Sequence, residues 1–206
     1  APDRSSLSYS GLRALAAKTI ADMNALGIGR NDRVAIVLPN GPEMAAAFVA
    51  VGAGATTAPL NPGYRGEEFR FYLEDLGAKA LFVEAGSESP AIAVARDLGV
   101  DVLELAVPEG APAGAFEITT PVDYSTGELT QGGPAEPDDV ALVLHTSGTT
   151  SRPKAVVHTH ANALWASRMG PINIDMASED TYLVYLPFFH VNAQSWSIYT
   201  TLGVGG

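Results

Sequence analysis

Apolar residues along the chain alternate between helical spacing and short continuous runs. Leu12, Leu15 and Ile20 recur at helical spacing with polar residues between them, which predicts an amphipathic helix that ends at Gly27. The run Val34–Leu38 contains no polar residue, which is the pattern of a strand covered on both faces. The chain therefore begins with a helix followed by a buried strand.

The same cycle of strand and helix repeats through the first half of the chain. A turn at Asn40–Glu43 places a proline and an acid in the first turn of the second helix, where both are favoured. Alternation at this spacing predicts an α/β fold with a doubly wound, mostly parallel sheet and flanking helices. The predicted strands are Val34–Leu38, Thr56–Leu60, Lys79–Val83 and Val100–Leu105, and the later predicted helices are Gly66–Gly77 and Ser89–Leu98.

A proline- and glycine-rich segment, residues 107–139, interrupts this rhythm. It contains no long apolar run, so we predict a surface excursion with a short strand at Phe116–Thr119. Regular elements are expected again after it. They are a strand at Val140–Thr146, a short strand at Ala155–His158, a helix near Ala161–Met169 and a strand at Thr181–Pro187.

Composition narrows the class of protein. With 47% hydrophobic and 17% charged residues the chain can bury a sizeable core, and a net charge of −11 argues against nucleic acid as a partner. The longest apolar stretch, Met44–Ala55, is too short for a membrane span, which takes about twenty residues. There is no cysteine and no signal peptide at the start, and both facts favour a cytoplasmic protein.

The stretch LHTSGTTSRPKAV, Leu144–Val156, is unusual for either a core or a plain turn. It follows a predicted buried strand, where open α/β sheets hold their ligands. Its small residues permit close backbone approach, its hydroxyls add donors, and Lys154 brings one positive charge. Together these residues are the parts of a phosphate cradle.

Spacing excludes two other interpretations of this stretch, and two histidines just after it raise a third. The Walker pattern fails because Ala155, not serine or threonine, follows the lysine. The nucleophile elbow fails because His145 and Thr149, two positions before and after Ser147, are not glycine. His158 and His160 could share a strand face and bind a metal, but no carboxylate stands beside them. A surface or hydrogen-bonded role for these two histidines is the favoured alternative.

Three segments carry a resemblance to a known family. LHTSGTTSRPKAVVHTH, Leu144–His160, resembles the phosphate-loop signature of the adenylate-forming superfamily, which includes acyl-CoA synthetases, luciferases and peptide-synthetase adenylation domains. LPFFHVNAQSW, Leu186–Trp196, resembles the next signature of that family, in the right order. Ala58–Val83 is similar to the family's N-terminal region, so the resemblance extends over essentially the whole chain. The finer similarity is to oxalate–CoA ligase-like and short-to-medium-chain acyl-CoA synthetases.

The resemblance implies an ATP-dependent acid–CoA ligase. Such an enzyme activates a small carboxylic acid as an acyl-adenylate, releases pyrophosphate and then forms the CoA thioester, with Mg²⁺ on the phosphates. It implies Lys154 and His190 as catalytic residues, and His190, Asn192 and Gln194 as substrate-binding residues. The implied nucleotide-binding residues are Thr146, Ser147, Gly148, Thr149, Thr150, Ser151 and Lys154, with Thr150 also near the Mg²⁺.

The chain also departs from the family pattern. Ser151 and Ala155 stand where the family usually has glycine, and no glycine follows His190. The family's later motifs, including the acidic Mg²⁺ ligand and the C-terminal lysine, are absent, so residues 1–206 are expected to be the N-terminal portion of a longer AMP-binding protein. A luciferase-like or amino-acid-adenylating domain and a non-catalytic nucleotide-binding module stay open as alternatives. Homodimer formation and a peroxisomal location stay open as well.

Overall fold

A seven-stranded mixed sheet with helices on both faces forms the molecule. The computed structural model describes residues 3–121, 127–146 and 152–205, apart from the side chains at 195 and 196. The strands are β1 (Arg33–Val37), β2 (Thr56–Pro59), β3 (Ala80–Glu84), β4 (Asp101–Ala106), β5 (Glu117–Thr119), β6 (Val140–His145) and β7 (Ala155–Thr159). The helices are α1 (Tyr9–Ala25), α2 (Pro42–Gly52), α3 (Gly66–Leu76), α4 (Pro90–Asp97), α5 (His160–Ile174), a π-helix at Ala193–Tyr199, and α6 (Thr200–Val204).

The strand order is β5-β4-β3-β1-β2-β6-β7. The five inner strands are parallel to one another, whereas β5 and β7 pair antiparallel at the two edges. The chain starts in the middle of the sheet and winds outward in both directions. The predicted doubly wound and mostly parallel sheet is therefore confirmed.

Two apolar layers lie on opposite faces of the sheet. Alternate residues of β1 divide between them, with Ile36 packed among residues of α1 and α2, and Val37 packed among residues of α3 and α4. Phe48 of α2 and Phe69 of α3 are among the largest fully buried side chains of these two layers. Because both faces of β1, β3 and β6 are covered, the central residues of these three strands form apolar runs without polar alternation.

Local sequence accounts for the ends of the helices. Pro42 begins α2 and needs no N–H partner there, and Glu43 lies in the first turn near the positive end of the helix dipole. Gly77 ends α3 with a φ of 55°, a left-handed conformation that glycine adopts without strain. The residues that predicted these boundaries in the sequence also form them in the structure.

A polar cluster ties the excursion at residues 107–139 to the sheet. Arg30 donates to both carboxylate oxygens of Asp139, at 2.6 and 3.2 Å, and to Glu136 at 2.7 Å. Asn31 donates to Asp139 and accepts the N–H of Val140. The Arg30 guanidinium lowers the pKa of Asp139 to about 2. This cluster fixes the first residue of β6, the strand that leads to the loop.

The predicted strand at Thr181–Pro187 is wrong. This segment pairs with no other strand in the part of the chain that the structure describes. Val184 and Leu186 pack against the core, whereas Leu183 and Tyr185 are 79% and 78% exposed. The apolar and aromatic residues favour an extended backbone here, but a strand also needs a neighbouring strand for its hydrogen bonds.

The apolar stretch at Met44–Ala55 lies largely within α2, which packs against the sheet. Among the described residues, no helix is both long enough and apolar enough to cross a membrane.

Candidate nucleotide and acid site

A cavity of about 600 Å³ opens at the carboxyl ends of β2 and β6. Its walls come from the segment after β2, from α3, from the β6–β7 hairpin and from the segment before the π-helix. This is the edge where open α/β sheets bind ligands. The described lining residues are Asn61, Tyr64, Glu68, Tyr72, Leu144, His145, Thr146, Val156, His158, Phe189, His190 and Val191.

The base of the hydroxyl-rich loop is closed by two hydrogen bonds between Thr146 and Lys154. The Thr146 N–H donates to the Lys154 carbonyl at 3.0 Å, and the Lys154 N–H donates to the Thr146 hydroxyl oxygen at 3.0 Å. Thr146 lines the cavity, and Lys154 lies exposed immediately before β7. The remaining predicted loop residues, Ser147, Gly148, Thr149, Thr150 and Ser151, lie outside the described residues.

His190 lines the same cavity. Its N–H donates to the Pro187 carbonyl at 3.0 Å, and its ring lies 5.1 Å from that of Phe189. The imidazole is exposed, so it is accessible to a ligand. The structure thus brings together Thr146 and His190, which are 44 positions apart in the sequence.

The two amides that follow His190 occupy different environments. Gln194 is fully buried, and its Nε2 donates to the Phe188 carbonyl at 2.6 Å. Asn192 is exposed at the start of the helical segment. Neither is among the described lining residues of the cavity. Gln194 instead holds the turn that presents Phe189 and His190.

One wall of the cavity is a pair of tyrosines. The rings of Tyr64 and Tyr72 are stacked, with centroids 4.8 Å apart and planes 14° apart, and the Tyr64 hydroxyl donates to the Tyr72 hydroxyl at 3.3 Å. Burial raises the pKa of Tyr64, and the hydrogen bond to Tyr72 raises it further. Tyr64 is therefore neutral at physiological pH.

His145 continues this wall into the β6 strand. Its Nε2 lies 2.9 Å from Oδ2 of Asp75 on α3, and its ring packs edge-on against Tyr72 at 4.8 Å between centroids. Its side chain is 5% exposed although it lies at the rim of the cavity. The sequence signal for this contact was weak, because Asp75 and His145 lie 70 positions apart.

The two histidines considered for a metal site occupy different elements. His158 lies on β7 opposite Leu142 and lines the cavity, whereas His160 is the first residue of α5. Burial lowers the pKa of His160, whose Nε2 has no partner among the described residues. No group of three or more His, Cys, Asp or Glu side chains in residues 3–121, 127–146 and 152–205 could hold a metal ion.

Several lining residues were not predicted as site residues. Asn61, Tyr64 and Tyr72 come from the segment after β2 and from α3, which the sequence marked only as similar to the family's N-terminal region. Their position next to β6 depends on the parallel pairing of β2 with β6. Spacing along the sequence carries no information on that pairing.

An open α/β sheet with a hydroxyl-rich loop at its carboxyl edge is the architecture of a nucleotide-binding protein. The AMP-binding enzyme family matches residues 2–206. The chain belongs to this family, and the resemblance stated from its two signatures is confirmed.

Curated relatives with CoA-ligase names match nearly the whole chain. It is 34% identical to an oxalate–CoA ligase of Arabidopsis thaliana, over 99% of this chain and 41% of the relative. It is 32% identical to the long-chain-fatty-acid–CoA ligase FadD13 of Mycobacterium tuberculosis, over 95% of this chain and 38% of the relative. The chain therefore spans about two fifths of the length of these relatives.

A solved structure supports the same fold. Apo MatB from Rhodopseudomonas palustris superposes with a TM-score of 0.74 at 25% identity, over 97% of this chain and 39% of that chain. The predicted α/β fold of an adenylate-forming enzyme is thereby confirmed.

Proposed function

We propose that the full-length protein is an AMP-forming, ATP-dependent acid–CoA ligase. Family membership and the CoA-ligase names of its relatives support this proposal. The observation that carries it is the convergence of Thr146, at the closed base of the hydroxyl-rich loop, and His190 on one cavity. Such a cavity can hold a polyphosphate on one side and a carboxylate on the other.

The proposed reaction has two steps. The carboxylate oxygen attacks the α-phosphorus of ATP, the bond to the bridging oxygen breaks, and pyrophosphate leaves. The thiolate of CoA then attacks the acyl carbon and AMP leaves. Both leaving groups carry developing negative charge, so fixed donors at the loop lower the barrier without reorganising.

Each predicted site residue has a role in this proposal. Lys154 offsets charge on the phosphates, and Thr146 with Ser147, Gly148, Thr149, Thr150 and Ser151 supplies donors. His190 lies beside the acyl group. Asn192 and Gln194 act through the turn that carries His190, because neither lines the cavity in the described part of the chain.

A Mg²⁺ ion fits this site as a companion of ATP. The described residues hold no cluster of ligands for an all-protein metal site, and Mg²⁺ in phosphate sites keeps water and phosphate oxygens as most of its ligands. Thr150 is the proposed protein ligand. When bound, the ion neutralises phosphate charge.

The acid itself is proposed only as a class. Relatives are named for oxalate, 3-hydroxybenzoate and long-chain fatty acids, so the acids in their names differ widely. The proposed substrate class is therefore a carboxylic acid that contacts His190 and the aromatic wall. The cytoplasmic location and the homodimer stay predictions.

The test is ATP–pyrophosphate exchange by the full-length protein with a panel of acids, from oxalate and malonate through octanoate to coumarate. Lys154→Ala is expected to lower exchange by about 10²-fold, the loss typical of removing one oxyanion donor. Arg168→Ala, which removes an exposed cation from α5, is the matched control and is expected to leave exchange unchanged.

The outcomes separate the alternatives. Exchange followed by acyl-CoA formation supports the ligase. Exchange without transfer to CoA would favour a luciferase-like or amino-acid-adenylating domain. ATP binding with no exchange for any acid would favour a non-catalytic nucleotide-binding module. We also expect no turnover from residues 1–206 alone, since they lack the family's later motifs.

A further inference from the structure

His145 links the helix that forms the cavity wall to the strand that carries the loop. Its Nε2 lies 2.9 Å from Oδ2 of Asp75, near the end of α3. Its ring also packs against Tyr72, which stacks on Tyr64. One side chain therefore joins the tyrosine wall, the end of α3 and the end of β6.

The alternation of β6 explains why this side chain points toward α3. Val143 packs in the layer formed with α3 and α4, whereas Leu144 packs in the opposite layer. Successive side chains of a strand point to opposite faces, so His145 shares the face of Val143. The imidazole is almost fully enclosed there, at 5% exposed.

The residue after His145 closes the base of the loop. Thr146 exchanges two hydrogen bonds with Lys154, both of 3.0 Å. A shift of the His145 side chain would therefore move the peptide that sets the direction of the loop. Asp75 is 42% exposed, and its described partner is this imidazole.

We propose that His145, held by Asp75, is a positioning residue that fixes the base of the nucleotide loop against α3. This inference rests on the proposed function, because it assigns the pair a role in binding the phosphates of ATP. His145 does not itself touch the reacting atoms. Its contribution is to keep Thr146 and Lys154 in the orientation that the nucleotide requires.

The experiment uses the full-length protein and three variants. His145→Phe keeps a ring against Tyr72 but loses the bond to Asp75, and Asp75→Asn keeps the shape of the carboxylate but loses its charge. His145→Gln keeps an N–H at a similar reach. Glu67→Gln changes an exposed carboxylate of the same helix and is the matched control.

We expect His145→Phe and Asp75→Asn each to raise the KM for ATP, and the Kd of ATP measured by calorimetry without acid, by about tenfold. The kcat for exchange is expected to fall as well, because Thr146 and Lys154 act on the departing pyrophosphate, whereas the KM for the acid should stay close to wild type. His145→Gln should recover most of the ATP affinity, and Glu67→Gln should match wild type. The double variant should be no weaker than either single variant, since both remove one interaction.

The inference is overturned if Asp75→Asn and His145→Phe bind ATP as tightly as wild type. It is also overturned if His145→Phe lowers both the affinity for ATP and the melting temperature, while Asp75→Asn changes neither of them. Absence of exchange in the wild-type protein would contradict the proposed function alone, because ATP binding still tests the pair. A wild-type protein that does not bind ATP would overturn both.

Discussion

The parallel centre of the sheet and the edge strand β7 contain similar residues but are covered very differently. In β1, RVAIV, every residue after Arg33 is buried. In β7, AVVHT, no residue is buried, and Val157 is 55% exposed. The neighbouring α5 leaves Trp165 67% exposed. A β-branched run thus predicts a strand in both places but predicts burial in only one.

This difference in burial separates a buried scaffold from an exposed region. Strands β1 to β4, with α2, α3 and α4, bury their apolar side chains among themselves and form a scaffold. Strand β7 and α5 present apolar residues outward. The candidate site lies on the boundary between the two regions, where His145 and Thr146 leave the buried strand β6.

The sharpest way to test this comparison is to remove apolar groups from each region. Phe69→Ala in α3 is expected to lower the free energy of unfolding of the 206-residue chain by about 3–5 kcal/mol, because the ring is fully buried. Val157→Ala in β7 should change it by less than about 0.5 kcal/mol. Urea unfolding of the two variants measures both values. Equal losses of unfolding free energy would show that β7 is packed as tightly as the scaffold.

The polar cluster at Asp139, on the border of the two regions, gives the next largest effect. The pKa of Asp139 is about 2, below the ordinary 3.8, so the ionised carboxylate stabilises the fold. The stabilisation is complete above about pH 4 and is lost as the pH falls through 2. It corresponds to about 2 kcal/mol.

Unfolding measured between pH 2 and 6 tests this contribution. Asp139→Asn should be less stable than wild type at pH 6 and should lose less stability on acidification. Asp138→Asn, at the exposed neighbouring position, is the control and should follow the wild-type curve. A wild-type slope in Asp139→Asn would mean that another group causes the acid sensitivity.

Substitutions at the outward-facing apolar residues are expected to have the smallest effect on stability. They should nevertheless have a measurable effect on self-association. Trp165, Leu183 and Tyr185 are 67%, 79% and 78% exposed, and exposed apolar surface promotes association. Replacing all three by serine should reduce self-association of the isolated chain in sedimentation experiments. Each change should alter the free energy of unfolding by less than about 0.5 kcal/mol. Undiminished association would place the contact surface elsewhere.

The sequence was most informative where a single element carries its own signal. The strands at Val34–Leu38 and Val100–Leu105, the helix at Gly66–Gly77 and the short strand at Phe116–Thr119 all appear within one or two residues of the predicted bounds. Apolar runs, capping residues and glycines determine such elements locally. The helix predicted near Ala161–Met169 continues to Ile174, through Pro171.

The sequence was least informative where partners come from far along the chain. Thr181–Pro187 has the composition of a strand but no neighbour to pair with among the described residues. Asp75 and His145 meet only because α3 packs on the face of the sheet to which β6 adds its end. For the site, the loop and His190 were recognised from motifs, whereas the tyrosine wall required the fold.

The two bonds between Thr146 and Lys154 also bear on the order of folding. These residues are 8 positions apart, whereas the side-chain bond from Thr57 to Ala141, which fastens β6 to β2, spans 84. Closing a short hairpin costs less chain entropy than closing a long crossover, and hairpins form in about 1–10 μs. We therefore expect the Thr146–Lys154 contact to form early in folding, and the tyrosine wall to come next to it only when β6 docks beside β2.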